Sequence, residues 1–175
     1  LAGLALISAR KEVAGRPLID HALHLATGRD LRLVANLHYR GDQIARHLDG
    51  RGVVFSREDE RILETGGGLR AALPLLGPGP VFTLNTDAVW TGGNPLDELL
   101  AAWDGARMDA LLLLLPAAQA RGTAARGDFR LDGEGRLSRG AGGEDQLYLG
   151  AQILRTEGLA DFAEDVFSLN RLWDR

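Results

Sequence analysis

The sequence contains no cysteine, and its only lysine is Lys11, against nineteen arginines. Without cysteine the chain forms no disulfide, holds no metal through thiolates and uses no cysteine nucleophile. The formal net charge of −4 does not suggest the basic surface that nucleic-acid binding requires, so we expect no nucleic-acid partner. We interpret the preference for arginine over lysine as a genomic bias without functional meaning.

Long apolar runs are also absent. The longest, at 110–118, is far shorter than the roughly 18 residues that a membrane-spanning helix needs. No charged segment followed by a signal-peptide core opens the sequence, so we expect a cytoplasmic protein without a membrane partner. A hydrophobic fraction of 45% in 175 residues is sufficient for the core of one domain, and we expect 1–175 to form a single domain. No pattern indicates an oligomeric state.

Strand and helix patterns alternate along the first two thirds of the sequence. Short apolar runs predict strands at 31–35, 53–55, 81–84 and 110–115. Helical spacing of apolar residues predicts helices at 17–26, 42–48, 69–76 and 95–103. Continuous runs such as 110–115 are typical of parallel strands covered on both faces. This order predicts an α/β fold with a mostly parallel central sheet and helices on both sides.

The last third has a different pattern. Alternating segments at 128–132 and 136–138 flank Gly133-Glu134-Gly135 and predict a small β-hairpin extension. A loop is expected at 140–145, a strand at 148–154, and helical pieces at 157–162 and 169–173.

The stretch 63–87 has the strongest functional pattern. Gly66-Gly67-Gly68 predicts a turn where the backbone can approach a flat or phosphorylated ligand, because no Cβ intervenes. After a helix and the break at Pro78-Gly79-Pro80, the strand at 81–84 ends on Asn85 and Asp87. Ligands of α/β proteins bind at the carboxyl ends of strands, and a carboxylate there suits a divalent metal that carries phosphate oxygens. The stretch therefore predicts a nucleotide–metal site.

Simpler interpretations stay open at this point. The glycine run is equally consistent with a tight turn before a helix, and an aspartate after a strand often caps a helix or a turn. We interpret the charged residues at 58–61 as a solvated cluster. His38, in the loop after a predicted strand, has either a structural role or a role in the site. Trp90 either packs in the core or lines a sugar pocket.

Six short segments, taken in order, resemble the sugar-1-phosphate nucleotidyltransferase family. They are Val-Ala-Gly-Arg-Pro-Leu-Ile at 13–19, Ala-Asn-Leu-His-Tyr at 35–39, Leu-Glu-Thr-Gly-Gly-Gly at 63–68, Leu-Asn-Thr-Asp at 84–87, Gly-Asp-Phe at 127–129 and Tyr-Leu-Gly-Ala-Gln-Ile at 148–153. Within this family, the sequence is most similar to the N-acetylmuramate α-1-phosphate uridylyltransferases of peptidoglycan recycling. The resemblance runs from Val13 to the end of the sequence.

The resemblance implies a three-layer Rossmann-like nucleotidyltransferase fold and a Mg²⁺-dependent reaction. In that reaction, UTP and a sugar 1-phosphate, here N-acetylmuramic acid α-1-phosphate, give a UDP-sugar and pyrophosphate. The sugar phosphate attacks the α-phosphorus while Mg²⁺ neutralises developing charge, so catalysis depends on positioning and electrostatics.

The resemblance also implies roles for individual residues. Asp87 corresponds to the catalytic, metal-binding aspartate of the family. Nucleotide contacts are implied for Gly3, Asn36, Glu64, Thr65, Gly66 and Gly67. Contacts with the sugar phosphate are implied for Asn85, Asp128, Gly150 and Asn170.

The sequence departs from the family in three segments. Residues 1–4 match only the start of the Gly-x-Gly-Thr-x-Met-Arg-Pro triphosphate loop, and the Pro-Lys pair that follows it is missing. The C-terminal Asp-Val-Gly segment with a second metal aspartate is missing too. We expect the full-length protein to contain these segments; a degenerate or truncated protein is the alternative.

Two other functions remain open from the sequence. One is a nucleotide- or sugar-nucleotide-binding regulatory module that has kept the fold and lost the chemistry. The other is the same chemistry with a different base or sugar, as in a mannose-1-phosphate guanylyltransferase or a thymidylyltransferase.

Overall fold

A computed structural model of the protein describes residues 3–7, 12–121, 127–139 and 145–175. The strands are β1 (Gly3–Ile7), β2 (Glu12–Val13), β3 (Arg16–Pro17), β4 (Arg32–Leu37), β5 (Val53–Arg57), β6 (Val81–Asn85), β7 (Ala110–Pro116), β8 (Phe129–Leu131), β9 (Leu137–Arg139) and β10 (Gln146–Leu154). The helices are α1 (Leu18–Leu25), α2 (Gly41–His47), α3 (Glu64–Leu76), α4 (Pro95–Ala102) and α5 (Asn170–Trp173), with 3₁₀ turns at Ala117–Gln119 and Glu157–Asp161.

The main sheet has the order β5-β4-β1-β6-β10, and β7 and the β8–β9 hairpin both pair with β10. β1 runs parallel to β4 on one side and to β6 on the other. The chain therefore builds outward from β1 to β4 and β5, then crosses back to place β6 on the opposite side. Such a reversal is a topological switch point, and the crevice at the carboxyl ends of its strands is where α/β proteins bind ligands.

Two apolar layers cover the sheet. Successive side chains of a strand point to opposite faces, so Leu4 and Leu6 of β1 pack with α1, α2 and α4. Ala5, between them, packs with α3 and the C-terminal residues Phe162 and Phe167 on the other face. The structure confirms the α/β class, the mostly parallel central strands and the hairpin extension predicted from the sequence.

Most of the described elements lie where the sequence patterns predict them, with their ends shifted by a few residues, but no pattern predicts β1 or the short pair β2 and β3. The predicted loop at 140–145 and Lys11 fall mainly or wholly outside the described residues. Among the residues that the structure describes, no helix has the length and apolar character that crossing a membrane requires.

The prediction for the run at 110–115 was wrong in one respect. The run forms β7, but β7 pairs antiparallel with β10 and is not a parallel strand. Only Leu112 in it is buried, while its neighbours are half-buried. An apolar run shows that side chains pack against something, but it carries no information about the direction of the neighbouring strand.

The predicted glycine turn was also wrong, because Gly66 and Gly67 lie inside the first turn of α3, which begins at Glu64. A Cβ on Gly66 would lie 2.5 Å from the Phe167 ring, and one on Gly67 would overlap the Asp165 carbonyl oxygen. The amides of both glycines donate to the Phe167 carbonyl oxygen, at 2.9 and 3.0 Å. These glycines make room for the C-terminal segment of the same chain.

This packing predicts that Gly67→Ala destabilises the protein. Overpacking a close contact lowers the free energy of unfolding by about 1–3 kcal/mol. The better helix propensity of alanine offsets this by about 1 kcal/mol at most. We expect the urea midpoint to fall by an amount that corresponds to about 2 kcal/mol.

Gly133→Ala is the matched control, because a Cβ at Gly133 meets nothing within 4 Å. Its stability should stay within about 0.5 kcal/mol of the wild type. Equal stability of the Gly67→Ala variant and this control would contradict the packing described for α3.

Candidate functional site

A cavity of about 1060 Å³ opens at the carboxyl edge of the parallel strands. Ile7 of β1 is paired with Asn36 of β4 on one side and with Asn85 of β6 on the other, so these strands end at one level. Ala5 and Thr83, which are neighbours in the sheet, belong to the cavity lining on the α3 face. The cavity therefore occupies the place that the switch point predicts for a ligand.

Four of the residues implicated by the sequence line this cavity together. Asn36 lies at the end of β4, Glu64 and Thr65 lie at the start of α3, and the exposed Asp87 follows β6. Asn85 lies at the same edge, two residues before Asp87, and a Cβ on Gly150 of β10 would lie 2.8 Å from the Asn85 Cβ. Residues from four separate parts of the chain therefore meet at one edge of the sheet.

The other implicated residues lie elsewhere. Gly3 is at the amino end of β1, paired with Arg32, roughly 13 Å from the carboxyl edge at the usual rise of a strand. The Asp128 carboxylate accepts a hydrogen bond from the Tyr148 amide at 2.9 Å and so ties the hairpin to β10. Asn170 begins α5 and does not line the cavity, although Leu169 before it does. Gly66 and Gly67 are covered by the C-terminal segment, as described above.

A buried hydrogen-bond cluster forms one wall of the cavity. The Asn36 side-chain amide donates from Nδ2 to Glu58 Oε1 and to the Gly68 carbonyl oxygen, both at 2.9 Å. The second carboxylate oxygen of Glu58 accepts from the Leu63 amide at 2.9 Å. Glu58 is only 8% exposed, so its assignment to a solvated charge cluster was wrong, whereas Asp59 and Glu60 are exposed.

His38, Tyr39 and Arg40 also line the cavity beside Asn36. His38 donates from Nδ1 to the Glu58 carbonyl oxygen at 2.6 Å. Tyr39 is 75% exposed, and the Arg40 guanidinium carbon lies 5.1 Å from the centre of its ring. Their position directly after β4 is the sequence signal that marks these residues, although it predicts no role for Tyr39 or Arg40.

A second polar network lies beneath the cavity. The buried Thr83 hydroxyl accepts from Gln152 Nε2 at 3.0 Å, and Gln152 Oε1 accepts from the Trp173 indole at 3.0 Å. Tyr148 contacts the Trp173 ring edge to face, with 5.1 Å between ring centres. Burial raises the pKa of Tyr148 well above its usual value, and a hydrogen bond with Thr83 only partly offsets this. Trp90, by contrast, packs against the core and does not line the cavity.

The donor set at Asp87 fits a hard divalent cation that brings most of its other ligands with it. Within the described residues there is no group of three or more His, Cys, Asp or Glu side chains that could hold an ion by themselves. Mg²⁺ commonly takes one or two protein carboxylates and completes its octahedron with water and substrate phosphates. A single exposed carboxylate in a cavity suits a Mg²⁺ ion that enters with a nucleotide, and does not suit a structural zinc site.

A second groove, of about 1410 Å³, lies between β7, the β8–β9 hairpin and α5. Arginines line it, among them Arg107, Arg139 and Arg155, together with apolar residues of β7. None of the residues implicated by the sequence lines this groove.

Comparison with known proteins gives relatives in sequence and in structure, although no family model matches. The chain is 39% identical over 176 residues to the N-acetylmuramate alpha-1-phosphate uridylyltransferase of Caulobacter vibrioides, and the match covers 94% of this chain and 73% of that protein. It is 34% identical over 123 residues to the bifunctional protein GlmU of Paracidovorax citrulli, covering 67% of this chain and 26% of that protein.

Solved structures share the fold as well. HddC from Yersinia pseudotuberculosis superposes with a TM-score of 0.73 at 15% identity, over 97% of this chain and 83% of that one. The inositol-1-phosphate CTP transferase from T. maritima superposes with a TM-score of 0.69 at 11% identity, over 99% and 79%. At such identities the likeness concerns the fold alone.

The burial of Tyr148 gives a test of the network beneath the cavity. Because Tyr39 and Tyr148 are the two tyrosines of the chain, tyrosine ionisation measured in the Tyr39→Phe variant comes from Tyr148 alone. The absorbance of the Tyr148 phenolate should be absent at pH about 10, where an unperturbed tyrosine is half-ionised. Since the folded protein holds this proton more tightly, the stability that it contributes is complete below pH about 10 and declines as the pH rises further.

The same variant unfolded in denaturant is the control, and it should be half-ionised near pH 10. Equal titration midpoints in the folded and unfolded protein would contradict the burial of Tyr148.

Proposed function

This chain belongs to the N-acetylmuramate α-1-phosphate uridylyltransferase family of sugar-1-phosphate nucleotidyltransferases, and we propose that it forms a UDP-sugar and pyrophosphate from UTP and a sugar 1-phosphate. The proposed sugar substrate is N-acetylmuramic acid α-1-phosphate, and the proposed role is cell-wall recycling in the cytoplasm. The observation that carries the proposal is that Asn36 and Asp87 line a single cavity at the switch point of the sheet.

Within this proposal, the two ends of the cavity bind different parts of the substrates. Asn36, Glu64 and Thr65 contact the base and the ribose, because they lie together between the end of β4 and the start of α3. Asp87 lies at the phosphate end. Asn85 and Gly150, in contact across β6 and β10, contact the sugar phosphate, and Asp128 and Asn170 are further candidates from the sequence.

The reaction requires no covalent intermediate with the protein. An oxygen of the sugar phosphate attacks the α-phosphorus of UTP, the bond from that phosphorus to the β-phosphate oxygen breaks, and pyrophosphate leaves with the electron pair. The chain contributes by aligning the two phosphates and excluding competing water. Asp87 would hold Mg²⁺, which when bound supplies positive charge that offsets the charge developing on the phosphate oxygens.

Replacing Asp87 with asparagine tests the proposal, since it keeps the size of the side chain and removes the charge. We expect kcat/KM for pyrophosphate release, with UTP, N-acetylmuramic acid α-1-phosphate and Mg²⁺, to fall by about a hundredfold or more, since metal stabilisation is worth several kcal/mol. Asp49→Asn is the control, because Asp49 is exposed and does not line the cavity. Full activity of the Asp87→Asn variant would contradict the assigned role.

A panel of nucleoside triphosphates and sugar 1-phosphates, assayed with the full-length protein, separates the alternatives. Turnover with GTP or dTTP in place of UTP would indicate the same chemistry with another base. Nucleotide binding without pyrophosphate release from any pair of substrates would indicate a regulatory module.

A further inference from the structure

Glu58 is an acidic side chain in an unusual environment. It is 8% exposed, although Asp59 and Glu60 beside it are exposed to solvent. In the part of the chain that the structure describes, no basic side chain forms an ion pair with it. A buried carboxylate without a cation is costly unless hydrogen bonds satisfy its oxygens. Asn36 and the Leu63 amide supply those bonds, each at 2.9 Å.

The backbone of Glu58 takes part in the same connection. Its amide donates to the Leu37 carbonyl oxygen at 2.8 Å, and its carbonyl oxygen accepts from His38 Nδ1 at 2.6 Å. One residue therefore joins the end of β4, which carries Asn36, to the start of α3, which carries Glu64 and Thr65. These are the two walls between which the base of the nucleotide is proposed to lie.

The same contacts change the electrostatics at the start of α3. The amides at the start of a helix ordinarily attract phosphate. Here the Leu63 amide donates to Glu58, and the amides of Gly66 and Gly67 donate to the Phe167 carbonyl oxygen. With these donors in use and a carboxylate beside them, this end of the cavity suits an uncharged ring better than a phosphate.

Gly68 shows how closely the cluster is packed. A Cβ at this position would lie 2.6 Å from Glu58 Oε1 and 3.0 Å from Asn36 Nδ2. Any side chain at Gly68 would therefore push the carboxylate and the amide apart. The third glycine of the run gives room to this pair, whereas the first two give room to the C-terminal segment.

From these contacts we infer that Glu58 is a positioning residue, which fixes the side-chain amide of Asn36 for contact with the nucleotide base. Asn36 Nδ2 has two hydrogens, and its two bonds to Glu58 and Gly68 use both of them. Since Glu58 accepts the first of these bonds, it determines which way the amide is turned. The inference rests on the proposed function, in which Asn36 contacts the base.

Glu58→Gln keeps the shape of the side chain and replaces one acceptor oxygen with a donor. That donor would face either Asn36 Nδ2, which would turn the Asn36 amide away, or the Leu63 amide, which would release the start of α3 from residue 58. We expect KM for UTP to rise about tenfold, the effect of losing a hydrogen bond to a charged group, with kcat and KM for the sugar phosphate nearly unchanged. Glu60→Gln, which alters an exposed acid two positions away, should leave all these constants unchanged.

Combined variants show whether Glu58 acts through Asn36. If it does, KM for UTP in the double variant Glu58→Gln/Asn36→Ala should be no higher than in Asn36→Ala alone. Gly68→Ala should raise KM for UTP as Glu58→Gln does, while Gly133→Ala, which meets nothing within 4 Å, should not. Gly68→Ala does not alter the Glu58 side chain itself. This variant therefore still tests the positioning role if the Glu58→Gln variant folds poorly.

The outcomes separate this inference from the proposed function. An unchanged KM for UTP in both Glu58→Gln and Gly68→Ala, or a loss of thermal stability alone, overturns the positioning role. The positioning role is also overturned if the effects of Glu58→Gln and Asn36→Ala on KM for UTP multiply in the double variant. Failure of the wild type to release pyrophosphate overturns the proposed function instead, and calorimetric titration with UTP then tests Glu58 through binding alone.

Discussion

The parallel pairing of β1 with β4 and β6 is the constraint on which the candidate site depends. Ile7 stands in register with Asn36 and with Asn85, so three strands end at one level and the loops after them share one crevice. A shift of one residue in either pairing would turn Asn36 or Asn85 to the opposite face of the sheet. The register of the sheet, more than any single loop, brings Asn36 and Asp87 to the same cavity.

The C-terminal segment stabilises the wall of that cavity. Arg70 of α3 donates to the carbonyl oxygens of Phe162 and Glu164 at 2.6 and 2.8 Å, and the rings of Phe162 and Phe167 stack with 4.3 Å between their centres. The Thr65 hydroxyl accepts from the Leu169 amide at 2.9 Å. A segment far along the chain therefore fixes the start of α3, and α3 in turn presents Glu64 and Thr65 to the cavity.

Most elements after β3 and part of the site can be predicted from the sequence because they depend on local patterns, whereas no pattern in the sequence predicts β1. Asp87 is predictable because it follows an apolar strand, and Asn36 because its segment resembles the nucleotidyltransferase family. What the sequence could not show depends on distant contacts: that the space beside Gly66 is filled by Phe167, or that the partner of β7 runs antiparallel. The burial of Glu58 was hidden for a similar reason, because three charged neighbours make its segment look solvated, while Asn36 and Leu63 enclose its carboxylate.

A crystal structure of the protein with Mg²⁺ and an analogue of UTP that resists turnover would test the proposed nucleotide site directly. We expect the base to lie between Asn36 and the start of α3, with the phosphates and the metal at Asp87. A nucleotide bound in the arginine-lined groove beside β7, or at the amino ends of the strands near Gly3, would contradict the proposed site.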